Sequence, residues 1–317
     1  MDCTETRRGG FGRSVVLGGQ GAVGKLFGRL LRSEGVVTLV DLRQGTSESG
    51  VSVMVENACR PSPQLIAEMA RADAVIVALP ADIGPAALAA AAPHMRRGAL
   101  LAETTSVKTP IAEVMASAAD RHRLEALGVN PMFAPDLGFR GRPVLIVEVR
   151  GGERCRRLQM LIRDRGARLV PVTVSDHDRL TASLQVATHA SILAFGRALQ
   201  ILNADISALV AAAPPPHRVL LALLARIVTG APEVYCDIQV AHPHACDVRL
   251  ALRNACAQLD EAATATPDDR FGAVLTELAH WLGPYRERLA GECANLFSQL
   301  ASAEQGAGGN ETDLGGA

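Results

Sequence analysis

The chain has 317 residues, of which 48% are hydrophobic and 21% charged, enough for two domains with buried cores. Its formal net charge of −1 and its 3% of aromatic residues provide no general attraction to nucleic acid or anionic membranes and no platform for base stacking. No apolar run approaches the ~20 residues of a membrane span, and seven scattered cysteines are typical of free thiols in a reducing cytoplasm. We therefore expect a cytoplasmic protein without nucleic-acid or membrane partners.

The first predicted element follows a polar, disordered leader, residues 1–13, and is a strand that enters a glycine-rich turn. Gly19, Gly21 and Gly24 follow the pattern G-x-G-x-x-G. In such turns the first glycine allows a tight turn, the second lets the backbone approach a pyrophosphate, and the third lets the helix pack on the strand. The next apolar run ends in Asp41, 20 residues after Gly21, where a carboxylate can bind a ribose 2′-hydroxyl. Strand, helix, strand and acid in register predict an NAD site rather than an ordinary glycine-rich loop, since Asp41 would repel the 2′-phosphate of NADP.

Apolar strand runs alternate with helical patterns from Ser14 to about Val174. This alternation predicts a mostly parallel sheet with helices on both faces, an α/β Rossmann-type dinucleotide-binding domain over residues 14–174. The predicted strands cover residues 14–18, 36–41, 51–55, 74–80, 98–103, 127–130, 143–149 and 168–174.

The sequence changes character after Val174, where alanine and leucine recur at helical spacing. Residues 175–302 are predicted to form an all-α domain, which begins with a helix that Ser175 and Asp176 cap and that continues to about Leu202. This half carries more apolar surface than one small bundle needs, which predicts a substrate domain that also forms a homodimer. The polar, glycine-rich residues 303–317 are predicted to be a disordered tail. Further helices are predicted near 232–241, 245–264, 268–282 and 284–302.

Two polar clusters follow predicted strands, at the sheet edge where ligands bind in open α/β folds. Thr105, Ser106 and Lys108 come after the strand 98–103, where a hydroxyl and an ammonium can hold an anion or can cap a helix before Pro110. Asn130 ends the strand 127–130, either as a ligand group or as a turn asparagine.

Further candidates lie in the helical half. Asp178, Gln185 and His189 are spaced to share one helix face, which indicates either a polar cleft or structural hydrogen bonds. Arg226 lies in a very apolar helix, and a buried cation needs an anion, either a substrate carboxylate or a neighbouring aspartate.

A cysteine and histidine cluster invites a zinc interpretation. Its spacing, C-x5-H-x-H-x-C, matches no regular site, so no metal is predicted. The four residues are Cys236, His242, His244 and Cys246.

Several motifs, in order from about Ser14 to about Leu300, resemble those of the prephenate and arogenate dehydrogenase family. They are the glycine turn, TSVK at 105–108, PMFAPD at 131–136, His177-Asp178 with Gln185 and His189, and Arg226 ahead of APEVYCDI at 231–238.

The resemblance implies that NAD+ takes hydride from ring carbon 4 of prephenate while the ring carboxylate leaves as CO2. It places Ser106 and Lys108 at the ring or its C4 substituent. It also places Arg226 on a substrate carboxylate, Gln185 at the substrate, and His189 at the nicotinamide end. The implied cofactor-binding residues are Gly19, Gln20, Gly21, Ala22, Val23, Gly24, Asp41, Leu79, Pro80 and Thr105.

One residue departs from the family pattern: Asn130 stands where the family has the histidine of HPMF. That histidine bonds the C4 hydroxyl and acts as base, a role worth about 10²–10⁴ in rate, and asparagine takes no proton at neutral pH. An amine at C4 releases hydride without a base, and the Asn130 amide oxygen can accept its N–H. The sequence is thus most similar to the branch of the family that converts 4-amino-4-deoxyprephenate to 4-aminophenylpyruvate.

Two alternatives stay open. The first is an ordinary prephenate or arogenate dehydrogenase of tyrosine synthesis, in which another residue serves as base. The second is a catalytically inactive NAD-binding sensor, against which the retention of Ser106, Lys108, His189 and Arg226 argues.

Overall fold

The computed structural model describes residues 10–45, 49–264 and 270–308. The chain divides into two compact units, the first running through Val186 and including Pro232–Ala245, the second comprising Ala187–Ala231 and the residues from Cys246 onwards. The first unit therefore extends past 174, where the sequence predicts a boundary, and includes a segment from the helical half. Most of the predicted leader and the end of the predicted tail lie outside the described residues.

An eight-stranded sheet forms the centre of the first unit, in the order β3-β2-β1-β4-β5-β6-β7-β8. All neighbouring strands are parallel except β6 and β7. Chain order reverses between β1 and β4, which is where open α/β sheets bind ligands. The strands are Arg13–Leu17 (β1), Val36–Asp41 (β2), Val51–Val55 (β3), Ala74–Val77 (β4), Leu100–Glu103 (β5), Glu125–Pro131 (β6), Pro143–Arg150 (β7) and Arg168–Pro171 (β8).

Helices cover both faces of this sheet and form the second unit. In chain order they are Ala22–Leu31 (α1), Pro63–Arg71 (α2), Gly84–Ala91 (α3), Thr109–His122 (α4), Glu153–Asp164 (α5), Val174–Thr181 (α6), Thr188–Ile201 (α7), Ile206–Ala212 (α8), Pro215–Val228 (α9), Pro232–Cys236 (α10), Ala245–Thr264 (α11), Arg270–Leu282 (α12) and Arg286–Gly308 (α13). One apolar cluster packs α1 and α5 on the sheet, and another packs α2, α3 and α4. The predicted α/β Rossmann-type fold with a helical second half is confirmed.

The two ends of the chain differ from the prediction. Phe11 is completely buried in the cluster that contains α1, and Arg13 begins β1, so the predicted leader ends earlier than residue 13. At the other end α13 continues to Gly308, beyond the predicted end at 302, because alanine-rich residues favour helix.

The long helix predicted over 175–202 is interrupted. Thr173, not Ser175 or Asp176, is the N-cap of α6, and its hydroxyl accepts from the Asp176 N–H at 3.1 Å. A π-helical turn, Ala182–Ala187, separates α6 from α7, and a second one, Asp237–Ala241, follows α10. Because a π turn adds a residue, the spacing of Asp178 and Gln185 no longer corresponds to two α-helical turns.

Within the second unit, α7 and α9 approach closely at Gly196, where a Cβ would lie 2.6 Å from a Leu224 methyl carbon.

Among the described helices, no single one is long and apolar enough to cross a membrane. Two bent helix pairs reach the necessary length and apolar composition when their members are taken together: 174–201 with 206–212, and 215–228 with 232–241.

Candidate functional site

The glycine-rich loop between β1 and α1 turns at a residue that the sequence analysis missed. Gly18 has a φ of +81°, and a Cβ there would overlap the Ala78 carbonyl. Gly19, which was predicted to make the tight turn, instead allows close packing on β2, because its Cβ would lie 2.6 Å from that of Leu39. Two consecutive glycines, Gly18 and Gly19, were the signal in the sequence that both a turn with positive φ and a close approach to β2 are needed here.

The other two glycines differ in what surrounds them. A Cβ on Gly24 would overlap the Gly18 carbonyl, so this glycine lets α1 pack against the loop. A Cβ on Gly21 would meet only the Gly18 oxygen, at 3.3 Å. Gly21 is also the N-cap of α1 and supplies no side chain to the helix end, so the N–H groups that begin at Ala22 and Val23 face no capping side chain. Such an end suits a phosphate.

Asp41 lies at the end of β2 beside this loop. Its Oδ2 accepts from the Gln20 N–H at 3.0 Å, and its Oδ1 accepts from the Arg43 N–H at 3.1 Å. Leu79, after β4, reaches the loop from the neighbouring strand, because a Cβ on Gly18 would lie 3.0 Å from its side chain. The structure thus brings together the predicted nucleotide residues Gln20, Asp41 and Leu79.

A buried ion pair occupies the loop between β5 and α4. Lys108 Nζ lies 2.7 Å from Glu103 Oε1 and donates to the Thr105 carbonyl at 2.9 Å. Lys108 is 1% exposed and Glu103 is fully buried. This differs from the prediction that Lys108 faces the substrate ring, because its ammonium is already paired below the surface.

Thr105 also differs from its predicted role as a cofactor ligand. Its hydroxyl lies 2.6 Å from Glu103 Oε2, to which it donates, and the side chain is buried. Ser106 is half-buried, and no hydrogen bond of its hydroxyl is found within the described part of the chain, so it is the residue of this loop that stays available to a ligand.

Asn130 lies within β6 and pairs with Leu145 of β7. It is therefore not a turn asparagine, which was one of the two alternatives that the sequence allowed. Its side-chain nitrogen lies 3.0 Å from His177 Nε2. The other ring nitrogen, Nδ1, is 2.8 Å from Asp178 Oδ1. Asp178 in turn accepts from the backbone N–H groups of Lys108 and Thr109, at 2.8 and 2.9 Å. One hydrogen-bonded chain therefore joins the start of α4 to the centre of β6.

The charges in this chain follow from burial. Burial lowers the pKa of His177, although the hydrogen bond to Asp178 opposes the shift, so the ring is neutral near pH 7. Burial would raise the pKa of Asp178, but hydrogen bonds from His177, Thr109 and Lys108 outweigh it and hold that pKa below its ordinary value. In the sequence, His177 stands out only as part of a motif, and no role was predicted for it.

The segment Pro232–Ala245 contributes to the first unit next to α6. His242 is buried, and its Nε2 lies 3.1 Å from the Thr181 hydroxyl. Asp237 accepts from the Ala81 N–H at 2.9 Å. Gln185 is half-buried, and its Oε1 is enclosed without a hydrogen-bond partner within the described residues.

The cysteine and histidine cluster around residues 236–246 does not form a metal site in the described part of the chain. Cys236 is exposed, and no group of three or more described His, Cys, Asp or Glu side chains could hold a metal.

His189 and Arg226 belong to the second unit. Burial lowers the pKa of His189, and the nearby charge of Arg226 lowers it further. Arg226 is exposed in α9, so its charge does not require the buried anion that the sequence analysis inferred. Its binding to a substrate carboxylate stays a prediction.

Comparison with known proteins gives one matching family model, described as the nucleotide-binding domain of prephenate dehydrogenase, over residues 27–143. A 4-amino-4-deoxyprephenate dehydrogenase from Streptomyces pristinaespiralis is 45% identical over 92% of this chain and 99% of its own length. A probable arogenate/prephenate dehydrogenase from Methanocaldococcus jannaschii is 27% identical, over 86% of this chain and 61% of its own.

Solved structures show the same fold. The prephenate dehydrogenase from A. aeolicus in complex with hydroxyphenyl propionate and NAD+ matches with a TM-score of 0.66 and 13% identity, over 90% of this chain and 98% of its own. The Synechocystis arogenate dehydrogenase matches with a TM-score of 0.61 and 19% identity, over 87% and 99%.

Proposed function

This chain belongs to the prephenate dehydrogenase family, and we propose that it oxidatively decarboxylates 4-amino-4-deoxyprephenate to 4-aminophenylpyruvate with NAD+ as oxidant. The choice of substrate depends on Asn130, which occupies the position of the histidine in the family pattern. Its side-chain amide is buried in β6 and hydrogen-bonded to His177. The similarity to the Streptomyces enzyme supports the same substrate.

The chemistry explains why an amide suits nitrogen at C4. When the C4–H bond breaks, the lone pair of a neutral amine stabilises the developing positive charge more strongly than a hydroxyl does. The C1–carboxylate bond then breaks, its electron pair enters the ring, CO2 leaves, and the product is an aromatic amine without net proton loss. Asn130 accepts an N–H of the amine and orients its lone pair, and it needs to remove no proton. A hydroxyl substrate would lose the contribution of a base, about 10²–10⁴ in rate.

The loop after β1 fits the pyrophosphate of a dinucleotide. A Cβ on Gly21 would meet only one atom, the Gly18 oxygen at 3.3 Å, and the N-terminus of α1 has no side-chain cap. When bound, NAD+ supplies the two-electron oxidant for ring carbon 4. We assign its pyrophosphate to Gly19, Gln20, Gly21, Ala22, Val23 and Gly24, its ribose to Asp41, and its flanks to Leu79 and Pro80.

We propose that the helical second unit forms a homodimer. The family resemblance also supports Arg226 as the residue that binds a substrate carboxylate, His189 as the residue at the nicotinamide end, and Gln185 as a substrate-binding residue. Support for the dimer comes from α12, where Leu275, Leu278 and Trp281 are 57%, 51% and 79% exposed at helical spacing. We further place the protein in the cytoplasm, since its six described cysteines are free thiols.

The proposal is tested by comparing kcat/KM for 4-amino-4-deoxyprephenate, prephenate and arogenate, with purified protein and NAD+. We expect the amino compound to exceed prephenate by about 10² or more, the contribution of the missing base. Equal or faster turnover of prephenate would overturn the substrate assignment. NAD+ binding without turnover of any of the three compounds would indicate a sensor. Sedimentation of the protein, with Trp281→Glu as the comparison, tests the dimer.

A further inference from the structure

We propose that His177 is a positioning residue that fixes which end of the Asn130 amide is presented to the substrate, and thereby sets the preference for nitrogen at the reacting carbon. The inference rests on the proposed function and extends it to His177, a buried residue to which the sequence motif alone assigned no role. It is carried by the three hydrogen bonds that join Asn130, His177, Asp178 and the backbone of Lys108.

The direction of each hydrogen bond follows from the one before it. The Asp178 carboxylate only accepts, so the proton on the neutral His177 ring must be on Nδ1, 2.8 Å away. His177 Nε2 then carries a lone pair and must accept. The Asn130 group facing it, 3.0 Å away, is therefore the NH2 end of the amide. The amide oxygen is turned away from His177, and no hydrogen bond to it is found among the described residues.

A protonated His177 would reverse this arrangement. Nε2 would become a donor, and the Asn130 amide would rotate by half a turn to offer its oxygen to the ring. Substrate would then meet an NH2 group, which repels the N–H of an amine. The charged or titratable groups around His177 are Asp178 on its own helix, Lys108 and Glu103 from the β5–α4 region, and His242.

A double-mutant cycle between Asn130 and His177 separates positioning from general support of the fold. His177→Phe keeps a ring of similar size but leaves the amide free to rotate. We expect it to lower kcat/KM for the amino substrate about tenfold, the cost of a misdirected buried hydrogen bond, and to leave the Kd for NAD+ unchanged. In the Asn130→Ala background the same replacement should have no further effect, because there is no amide to orient. Independent, multiplicative losses in the cycle would overturn the proposal.

A second variant covers the case in which His177→Phe does not fold. His177→Gln retains an acceptor for the Asn130 NH2 group but cannot be protonated near neutral pH. We expect kcat of the wild type to fall at low pH in two steps, because both the substrate amine and His177 become protonated. His177→Gln should lack the step that belongs to His177. If kcat of the variant falls at low pH in the same way as kcat of the wild type, the proposal is wrong.

Two controls complete the design. His122→Phe, a half-buried histidine at the end of α4, should leave the substrate ratio and the pH profile unchanged. The wild-type substrate comparison reports separately on the proposed function. If prephenate proves to be the better substrate, the proposed function fails, while the cycle, run on prephenate, still decides whether His177 acts through Asn130.

Discussion

The Lys108 ammonium and the Glu103 carboxylate lie 2.7 Å apart, and neither side chain is more than 1% exposed. Burial lowers the pKa of Lys108, and the adjacent Glu103 charge opposes that shift. The pair fixes the loop that carries Ser106 and the Lys108 N–H group, which binds Asp178. The ion pair is therefore a buried support for this loop, and the Lys108 ammonium is already occupied by Glu103 and the Thr105 carbonyl.

Removing one partner of this pair should be costly. Glu103→Gln leaves the Lys108 charge buried without a counter-ion, and we expect the free energy of unfolding to fall by about 3–5 kcal/mol. Urea denaturation at neutral pH measures it. The double variant Glu103→Gln/Lys108→Met should lose less than the two single variants combined, because no buried charge remains. Arg288→Gln, which breaks an exposed pair with Glu292, is the control and should change stability by less than about 1 kcal/mol.

Gly128 on β6 provides the space for this ion pair. A Cβ there would lie 2.6 Å from Glu103 Oε1 and 3.2 Å from Lys108 Cε. We expect Gly128→Ala to displace the Glu103 carboxylate and to lower the free energy of unfolding by about 1–3 kcal/mol, as overpacking does. Thermal unfolding measures the change.

The control for Gly128→Ala is Gly12→Ala, where the added Cβ would meet only an Asp73 oxygen, at an ordinary 3.5 Å. If Gly128→Ala lowers the free energy of unfolding no more than Gly12→Ala does, the ion pair tolerates the extra methyl group and the prediction is wrong.

Replacing Asn130 by histidine should restore activity on a hydroxyl substrate. The N–H of the new ring would donate a hydrogen bond to His177 Nε2, which leaves its other ring nitrogen unprotonated and able to act as base. We expect Asn130→His to raise kcat/KM for prephenate by about 10² and to lower it for the amino compound. Steady-state kinetics with both substrates measures the ratio. Asn130→Gln, which restores no base, is the control, and an equal gain in that variant would contradict the mechanism.

The sheet could be predicted from sequence because strands covered on both faces are apolar throughout. The observed β2 and β3 match the predicted 36–41 and 51–55. The site could be predicted only in part, since burial and long-range hydrogen bonds leave no local pattern. Lys108 looked like a ligand because it follows a strand, but its pairing with Glu103 depends on a loop conformation that no spacing reveals.

The hydrogen bonds around His177 were equally invisible in the sequence. Lys108 and Asp178 are 70 residues apart, and Asn130 and His177 are 47 apart, so only the folded sheet brings them together. Glu103, an acid directly after the apolar residues of β5 and the last residue of that strand, was a local signal of a buried polar network.

Acid should weaken the fold through Asp178. Its pKa is lowered in the folded state, so the unfolded chain takes up the proton first, near the ordinary value of 3.8. The stability that this carboxylate contributes is therefore complete above that value and is lost as the pH falls below it. Asp178→Asn should lower the free energy of unfolding by about 2–3 kcal/mol at neutral pH, since buried N–H groups lose a charged acceptor.

The measurement is urea denaturation of wild type and Asp178→Asn at several pH values. The difference between the two proteins should shrink below 3.8, where the wild type also loses its carboxylate charge. Asp176→Asn, two residues earlier on the exposed side of α6, is the matched control. A difference that stays constant with pH would show that Asp178 acts by shape alone.

The glycine loop should separate folding from cofactor binding. Gly24→Ala would force α1 away from the Gly18 carbonyl, so we expect it to lower the melting temperature as well as NAD+ affinity. A methyl group on Gly21 would meet only the Gly18 oxygen, at 3.3 Å. A shift of about a few tenths of an ångström relieves that contact, so the fold should tolerate the methyl group while the pyrophosphate is displaced. Calorimetric titration with NAD+ and thermal unfolding should then show, for Gly21→Ala, an affinity at least about tenfold weaker at a nearly unchanged melting temperature. An NAD+ affinity that Gly21→Ala leaves intact would mean that the pyrophosphate binds elsewhere.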